Sequence, residues 1–406
     1  MPWSDLVPSR LCRQLSNFPD YFFGVDYLMA VGGLRLGGAG SRGLRFCWAV
    51  YRAVVLVGLL VMTWQLVADV VRDENPEVTM QSVHVVIEGV WTVVRAGIVV
   101  RNYESIVVVR RFVNLEHGRQ NSFGIVRIFS LIVLFGPMAR KTFVRYNSLD
   151  FPLKLSDFSV TLHMVCENIY RYVMPICITC TVLANNITIY LILKGLINQL
   201  GSIVKQYKEL LDRTKARTAA RLERVSGTLN HRRRMEKHFY WMHLHEEFQT
   251  CLQRHQQLLE TVDVASSPLN GTFLAAYYAA MLKMIYEFVF FCLTESIDIQ
   301  NYLRMVPFEF WILTGLGAHL IDKNRSIGQV INGINWEQEL EAEPPFACRF
   351  RPMIALVMRA MRNSHRRQLG LTCYGIVDFT ANELSAHADR FCAVVCAVFN
   401  YLFSRF

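Results

Sequence analysis

Tyr172–Leu193 has the sequence YVMPICITCTVLANNITIYLIL, contains no charged side chain, and lies between Arg171 and Lys194. An α-helix rises about 1.5 Å per residue, so this stretch would be about 33 Å long as a helix. The hydrocarbon core of a bilayer is about 30 Å thick. The segment therefore predicts a helix that crosses a membrane.

The rest of the chain is also apolar enough for lipid to be its main solvent. Of its 406 residues 52% are hydrophobic and 19% are charged, and the mean hydropathy is +0.24. A soluble surface of this size needs more charged residues. The sequence therefore predicts an all-α integral membrane protein with seven transmembrane helices. Besides Tyr172–Leu193, the predicted spans are Phe46–Val71, Val78–Val100, Ile125–Val144, Thr272–Leu293, Tyr302–Ile321 and Phe391–Phe403.

The loops between these spans differ in their content of Lys and Arg. Four loops contain 26 of these residues and the alternate three contain 7. The basic loops are residues 1–45, 101–127, 194–268 and 322–349, and the others are 72–77, 140–171 and 294–304. Basic loops remain in the cytoplasm, so we expect a cytoplasmic amino terminus and an extracellular carboxyl terminus. This topology is the reverse of that of a G-protein-coupled receptor. Residues 1–45 show no signal-peptide pattern, and the first span is expected to act as the targeting signal.

The longest polar segment, Lys194–Pro268, has a helical pattern. Apolar residues recur at steps of three and four from Leu196 to Leu211, which predicts that the fourth span continues as an amphipathic helix beyond the bilayer. A second helix is predicted over Met235–Val264. Between them, Arg213–Arg234 is basic and poor in apolar residues, so we expect a mobile loop there. The basic balance of this layer suits anionic lipid headgroups and requires no nucleic acid.

Charged residues inside the predicted spans have two interpretations. Glu88 and Arg95 are seven residues apart and share one helix face, and Lys283 and Glu287 are four apart and can pair. Such groups could line a water-filled cavity or bind a polar ligand. The favoured interpretation is that they fasten neighbouring helices together.

No motif predicts an enzyme, a cofactor or a metal site. The chain has no HExxH spacing, no Gly-rich phosphate loop and no GxSxG elbow. Cys177 and Cys180 form a CxxC, but in an apolar helix small buried cysteines are more usual than a redox pair. Five histidines are expected to be ordinary side chains on polar helix faces: His231, His238, His243, His245 and His255.

The carboxyl-terminal third contains a set of linked motifs. Trp336 follows the sixth span, the basic amphipathic segment Arg351–Ala360 (RPMIALVMRA) comes next, and the last span ends in Phe399–Phe403 (FNYLF). His255–Leu259 (HQQLL) precedes the fifth span. In these motifs, and in its length, number of spans and topology, the chain resembles the insect odorant receptor family.

The related gustatory receptor family is the main alternative. Its last helix carries Thr-Tyr, five apolar residues, and then Gln-Phe. In this chain that spacing falls on Val398–Phe399 and Arg405–Phe406, so the spacing is kept and three of the four identities are lost. Trp336 and Arg359–Ala360 favour the odorant receptors. A G-protein-coupled receptor would need the opposite topology, and a secondary transporter would need repeated, interrupted spans.

The resemblance implies a heterotetrameric, odorant-gated cation channel in the plasma membrane of olfactory neuron dendrites. Its subunits would be odorant-binding chains and a shared co-receptor, and the ligand would be a small volatile odorant. The implied domains are a cytoplasmic segment (1–45), four spans (46–193), a cytoplasmic helical extension with a mobile loop (194–268), two spans (269–331), a cytoplasmic loop and anchor helix (332–378), and a pore-lining helix (379–406).

The resemblance also implies two sites. The odorant pocket would lie in the outer half of the bundle, and the alternative for each residue there is core packing or lipid contact. Its candidate residues are Trp91, Phe135, Met138, Tyr170, Met174, Phe308 and Trp311. The candidate pore residues are Val398, Leu402, Arg405 and Phe406. Arg405 stands where the family pattern has Gln, and it would either face the ion path or extend to the outer headgroups.

Overall fold

The computed structural model describes residues 22–34, 42–72, 76–117, 159–224, 228–294, 306–336, 347–364 and 393. These residues form helices and no strand, which confirms the all-α prediction for the described part of the chain. The helices are α1 (Phe23–Val31), α2 (Arg42–Arg72), α3 (Pro76–Arg101), α4 (Tyr103–His117), α5 (Val160–Asn168), a π-helical turn (Ile169–Val173), α6 (Met174–Lys208), α7 (Leu210–Leu222), α8 (Leu229–Thr294), α9 (Val306–Asn332) and α10 (Ala347–Ser364).

Five of the seven predicted spans fall wholly or mainly on described residues, and each of these is helical. They lie in α2, α3, α6 with the preceding π-helical turn, α8 and α9. Within the described residues, Phe46–Arg72 and Val160–Lys208 are long and apolar enough to cross a membrane. Ile125–Val144 and nearly all of Phe391–Phe403 lie outside the described residues.

Helix α1, which the sequence did not predict, packs against two predicted spans. Gly33 has a φ of 72°, and the amides of Gly33 and Leu34 donate to the carbonyls of Ala30 and Met29, a Schellman cap that ends the helix. Thr181 on α6 donates to the carbonyl of Gly32 at 2.9 Å. A Cβ at Gly32 would lie 2.9 Å from the backbone nitrogen of Thr181, so only glycine permits this approach. Residues 22–34, which belong to the predicted amino-terminal segment 1–45, therefore pack against the spans.

The described residues divide into two compact units. One takes its residues from 1–192, 267–314 and 372–406, and the other from 193–266 and 315–371. The division falls inside α6, α8 and α9. In the first unit α2 packs along α3. In the second, fully buried apolar residues include Leu200 on α6, Phe248 on α8, Ile331 on α9 and Ala360 on α10.

The prediction of a mobile loop over Arg213–Arg234 is wrong for most of its length. Residues 213–222 belong to α7 and residues 229–234 to α8. Arg217 contacts the Glu247 carboxylate at 2.6 Å, and the Arg221 guanidinium lies 4.7 Å from the ring centroid of Phe239. Arg217 and Arg221 therefore fasten α7 to α8 instead of remaining in a solvated loop.

Helix α8 is continuous, whereas the sequence predicted a helix over Met235–Val264 and a separate span over Thr272–Leu293. It runs for 66 residues with Pro268 in its interior. Proline removes one helical hydrogen bond, at a cost of about 3 kcal/mol. On either side of Pro268 the apolar side chains of Val262, Leu269 and Phe273 are fully buried, and this packing offsets the cost.

Candidate functional site

A buried apolar cluster in the first unit joins α2, α3 and α6. Leu59, Met62 and Leu66 enter it from α2, because a spacing of three and four residues places them on one helix face. Val85 enters from α3 and Ile178 from α6. Tyr170 and Met174 complete the cluster, and both side chains are buried.

Tyr170 brings a polar group to this cluster. It lies in the π-helical turn that leads into α6, where Pro175 cannot donate a hydrogen bond to the carbonyl of Arg171. The Tyr170 hydroxyl donates to Oε1 of Gln65 on α2. A phenol paired with an amide therefore lies beside apolar side chains from three helices.

Met174 contacts α2 at a glycine. A Cβ at Gly58 would overlap the terminal methyl group of Met174. The missing side chain of Gly58 thus provides the space that the Met174 side chain fills. Methionine is unbranched and polarisable, so its side chain suits a narrow space of this kind.

The structure brings together two of the seven predicted pocket residues, Tyr170 and Met174. Trp91 is partly buried on α3 but does not belong to the cluster. Phe308 and Trp311 belong to α9, and the structure describes their backbone but not their side chains. The other predicted residues also lie outside them: Phe135 and Met138 of the pocket, and Val398, Leu402, Arg405 and Phe406 of the pore.

The contribution of α2 to this cluster was not predicted from the sequence. Gln65 is an amide in an otherwise apolar part of the first span, and Gly58 lies in the same run. A polar residue inside a span is a signal that could have found Gln65. No such signal identifies Leu59 or Met62, because their role depends on which helix lies opposite.

Arg95 is a buried charge that joins α3 to α6. Its side chain is 2% exposed, and Nη1 donates to Oδ1 of Asn186 at 2.8 Å. This contact supports the fastener interpretation for Arg95. The side chains of Glu88, Lys283 and Glu287 lie outside the described residues.

All five histidines were expected on polar helix faces, and for two of them this prediction is wrong. His243 and His255 are buried in the second unit. No group of three His, Cys, Asp or Glu among the described residues could hold a metal ion. Cys177 and Cys180 are free thiols, and Cys177 Sγ lies 3.4 Å from the Tyr51 hydroxyl.

Two solved structures with a similar fold are structures of an olfactory receptor. The structure of the insect olfactory receptor OR5 from Machilis hrabei matches with a TM-score of 0.60 and covers 93% of this chain and 97% of its own. The chain has the insect olfactory receptor fold. A second OR5 structure, in complex with eugenol, matches equally well and is covered over 98% of its length. Sequence identity to the olfactory receptor is 10% in both comparisons. No sequence-family model and no curated protein matches the chain.

Proposed function

We propose that this chain is an odorant receptor, the odorant-binding subunit of a non-selective cation channel that works with a shared co-receptor subunit in a heterotetramer. The observation that carries the proposal is the olfactory receptor fold, which extends over nearly the full length of both chains. The motifs around His255, Trp336 and Arg359 support it independently, because they come from the sequence alone.

The ligand is proposed to be a small volatile odorant that binds at the cluster of α2, α3 and α6. Apolar walls supply most of the affinity of such a site, and one or two polar groups fix the orientation of the ligand. Leu59, Met62 and Met174 would form the walls, and the Tyr170 hydroxyl with Gln65 would be the polar pair. The OR5 complex with eugenol supports a small odorant as the ligand class.

A membrane location is supported by the outer face of α2. Exposed apolar side chains recur along it at steps of three and four, which suits contact with lipid chains. They are Phe46, Val50, Val54, Val57, Leu60, Trp64, Val67 and Val71. We propose the plasma membrane of olfactory neuron dendrites, with the amino terminus in the cytoplasm, as the loop charges indicate.

The pore is proposed to be lined by the last span, with Leu402 at the constriction and Arg405 near the outer end. Four arginines in a ring would repel entering cations, whereas one among three neutral partners would be a small barrier. The chain would therefore conduct poorly alone and conduct well beside a co-receptor.

Whole-cell recording tests this proposal directly. Cells expressing this chain with a co-receptor subunit should give odorant-evoked inward current, and cells expressing either subunit alone should give much less. A panel of volatile odorants is applied to cells with equal amounts of this chain at the surface, and an epitope tag on the chain measures that amount. A current that disappears when G-protein signalling is blocked would overturn the channel assignment.

A further inference from the structure

His255 joins three helices of the second unit through one buried hydrogen-bond network. Its side chain is 0% exposed, and Nε2 lies 2.8 Å from Oδ1 of Asn324 on α9. The Asn324 amide nitrogen donates to the backbone carbonyls of Asn363 at 3.3 Å and Ser364 at 3.1 Å, at the end of α10. Since the amide nitrogen is the donor to α10, Oδ1 is the acceptor and His255 Nε2 carries the proton.

Asn363 and Ser364 are the last described residues of α10. Asn324 thus ties this part of α10 to α9, and His255 fixes the orientation of the Asn324 amide. The next predicted helix along the chain is the pore-lining span. The network therefore holds the part of α10 that precedes the predicted pore in the sequence.

We propose that His255 and Asn324 are positioning residues of the channel: neutral His255 holds the end of α10 in the arrangement from which odorant opens the pore, and protonation releases it. The proposal rests on the proposed function of the chain as a channel subunit. It assigns a role in gating to residues outside the ligand cluster.

The surroundings of His255 keep it neutral. Burial lowers its pKa below the ordinary value of 6.5, and the hydrogen bond to Asn324 opposes this with a smaller effect. Nδ1 has no hydrogen-bond partner among the described residues, so a proton there would be a buried donor without an acceptor. The ionisable residues nearest along the three helices are Arg254 and Glu260 on α8, Lys323 and Arg325 on α9, and Arg362 on α10, and burial is the largest cause of the shift.

The sign of the pH effect follows from this shift. Between the folded and the unfolded pKa, the unfolded chain binds more protons at His255 than the folded chain does. The stability that neutral His255 contributes is therefore fully present above pH 6.5, and it is lost as the pH falls through the lower folded pKa.

The test uses inside-out patches that contain this chain and a co-receptor, with the cytoplasmic face moved from about pH 7.5 to about pH 5.5. We expect the odorant-evoked current of the parent to fall at least about twofold, reversibly, with a midpoint below pH 6.5. His255→Gln keeps a donor near the position of Nε2 and cannot titrate, so it should retain the current and lose most of the acid sensitivity. His243→Gln, at another buried histidine of the same unit, should remain acid-sensitive. Equal acid sensitivity of the parent and His255→Gln would overturn the proposal.

Thermal unfolding of the purified protein in detergent separates this proposal from the proposed function. Acidification should lower the Tm of the parent more than that of His255→Gln, whether or not the protein conducts. If no odorant evokes current but this difference is found, the channel assignment fails and the network is real. An equal fall of Tm in both proteins would reject the role of His255 even in a working channel.

Discussion

At the scale of single residues, Tyr170 places one polar group beside an apolar cluster. Its ring is buried among side chains of α2, α3 and α6, and its hydroxyl donates to Gln65. A phenol can accept a hydrogen bond while it donates one, so the Tyr170 hydroxyl could also accept from a polar group of a ligand. Sensitivity to an odorant should therefore depend on the Tyr170 hydroxyl separately from the aromatic ring.

Replacing Tyr170 with Phe isolates this hydroxyl. We expect the odorant concentration for half activation to rise about 2–12-fold, which corresponds to a net hydrogen bond of about 0.5–1.5 kcal/mol. Tyr172→Phe is the matched control, because Tyr172 is two residues away and its side chain is exposed. Dose–response curves at equal surface expression make the comparison. An unchanged curve for Tyr170→Phe would remove this hydroxyl from the ligand site.

Two residues of the apolar cluster could be predicted from the sequence, and the residues that face them on α2 could not. Tyr170 and Met174 could be predicted because an aromatic and a sulfur side chain stood at the outer end of the clearest span. Gln65 could not be paired with Tyr170, since the two are 105 residues apart and the partner is decided by helix packing. Arg95 was recognised as a helix fastener, but its partner Asn186 was not foreseen for the same reason.

At the scale of elements, α7 and α8 show how charge can order a segment that composition marks as mobile. Arg213, Arg217 and Arg221 recur every four residues and so share one face of α7. On α8, Glu247 forms ion pairs with Arg213 and Arg217, and the Phe239 ring packs against Arg221. Within this segment, only its basic composition was available for a prediction, and that composition favours a mobile loop. The acidic partner Glu247 lies more than 20 residues further along the chain, and its ion pairs hold the segment as a helix.

A double-mutant cycle on Arg217 and Glu247 measures this fastening. Their side chains are 50% and 14% exposed, so solvent screens the pair and we expect a coupling of about 0.5–1 kcal/mol in the free energy of unfolding. The variants are Arg217→Gln, Glu247→Gln and the double variant. The control is the pair Lys205 and Glu209, which is more exposed and 3.7 Å apart. We expect its coupling to be smaller than that of Arg217 and Glu247. Additive effects of Arg217→Gln and Glu247→Gln would contradict the assignment.

At the scale of the whole molecule, the fold is conserved where the sequence is not. The chain shares 10% of its residues with OR5 and yet has its fold over 93% of its length. Apolar periodicity and helix length determine such a fold, and many different apolar residues satisfy both. This is why the helices were predictable from the sequence, whereas the packing of particular side chains, such as Gln65 against Tyr170, was not.

The most direct test of the central claim is odorant application to outside-out membrane patches that contain this chain and a co-receptor, with no nucleotide in the pipette. If the chain is a subunit of an odorant-gated channel, single-channel openings will begin on odorant application and persist after excision, because ligand site and pore belong to one complex. Patches that lose their odorant response on excision, and regain it only when GTP is supplied, would contradict the account.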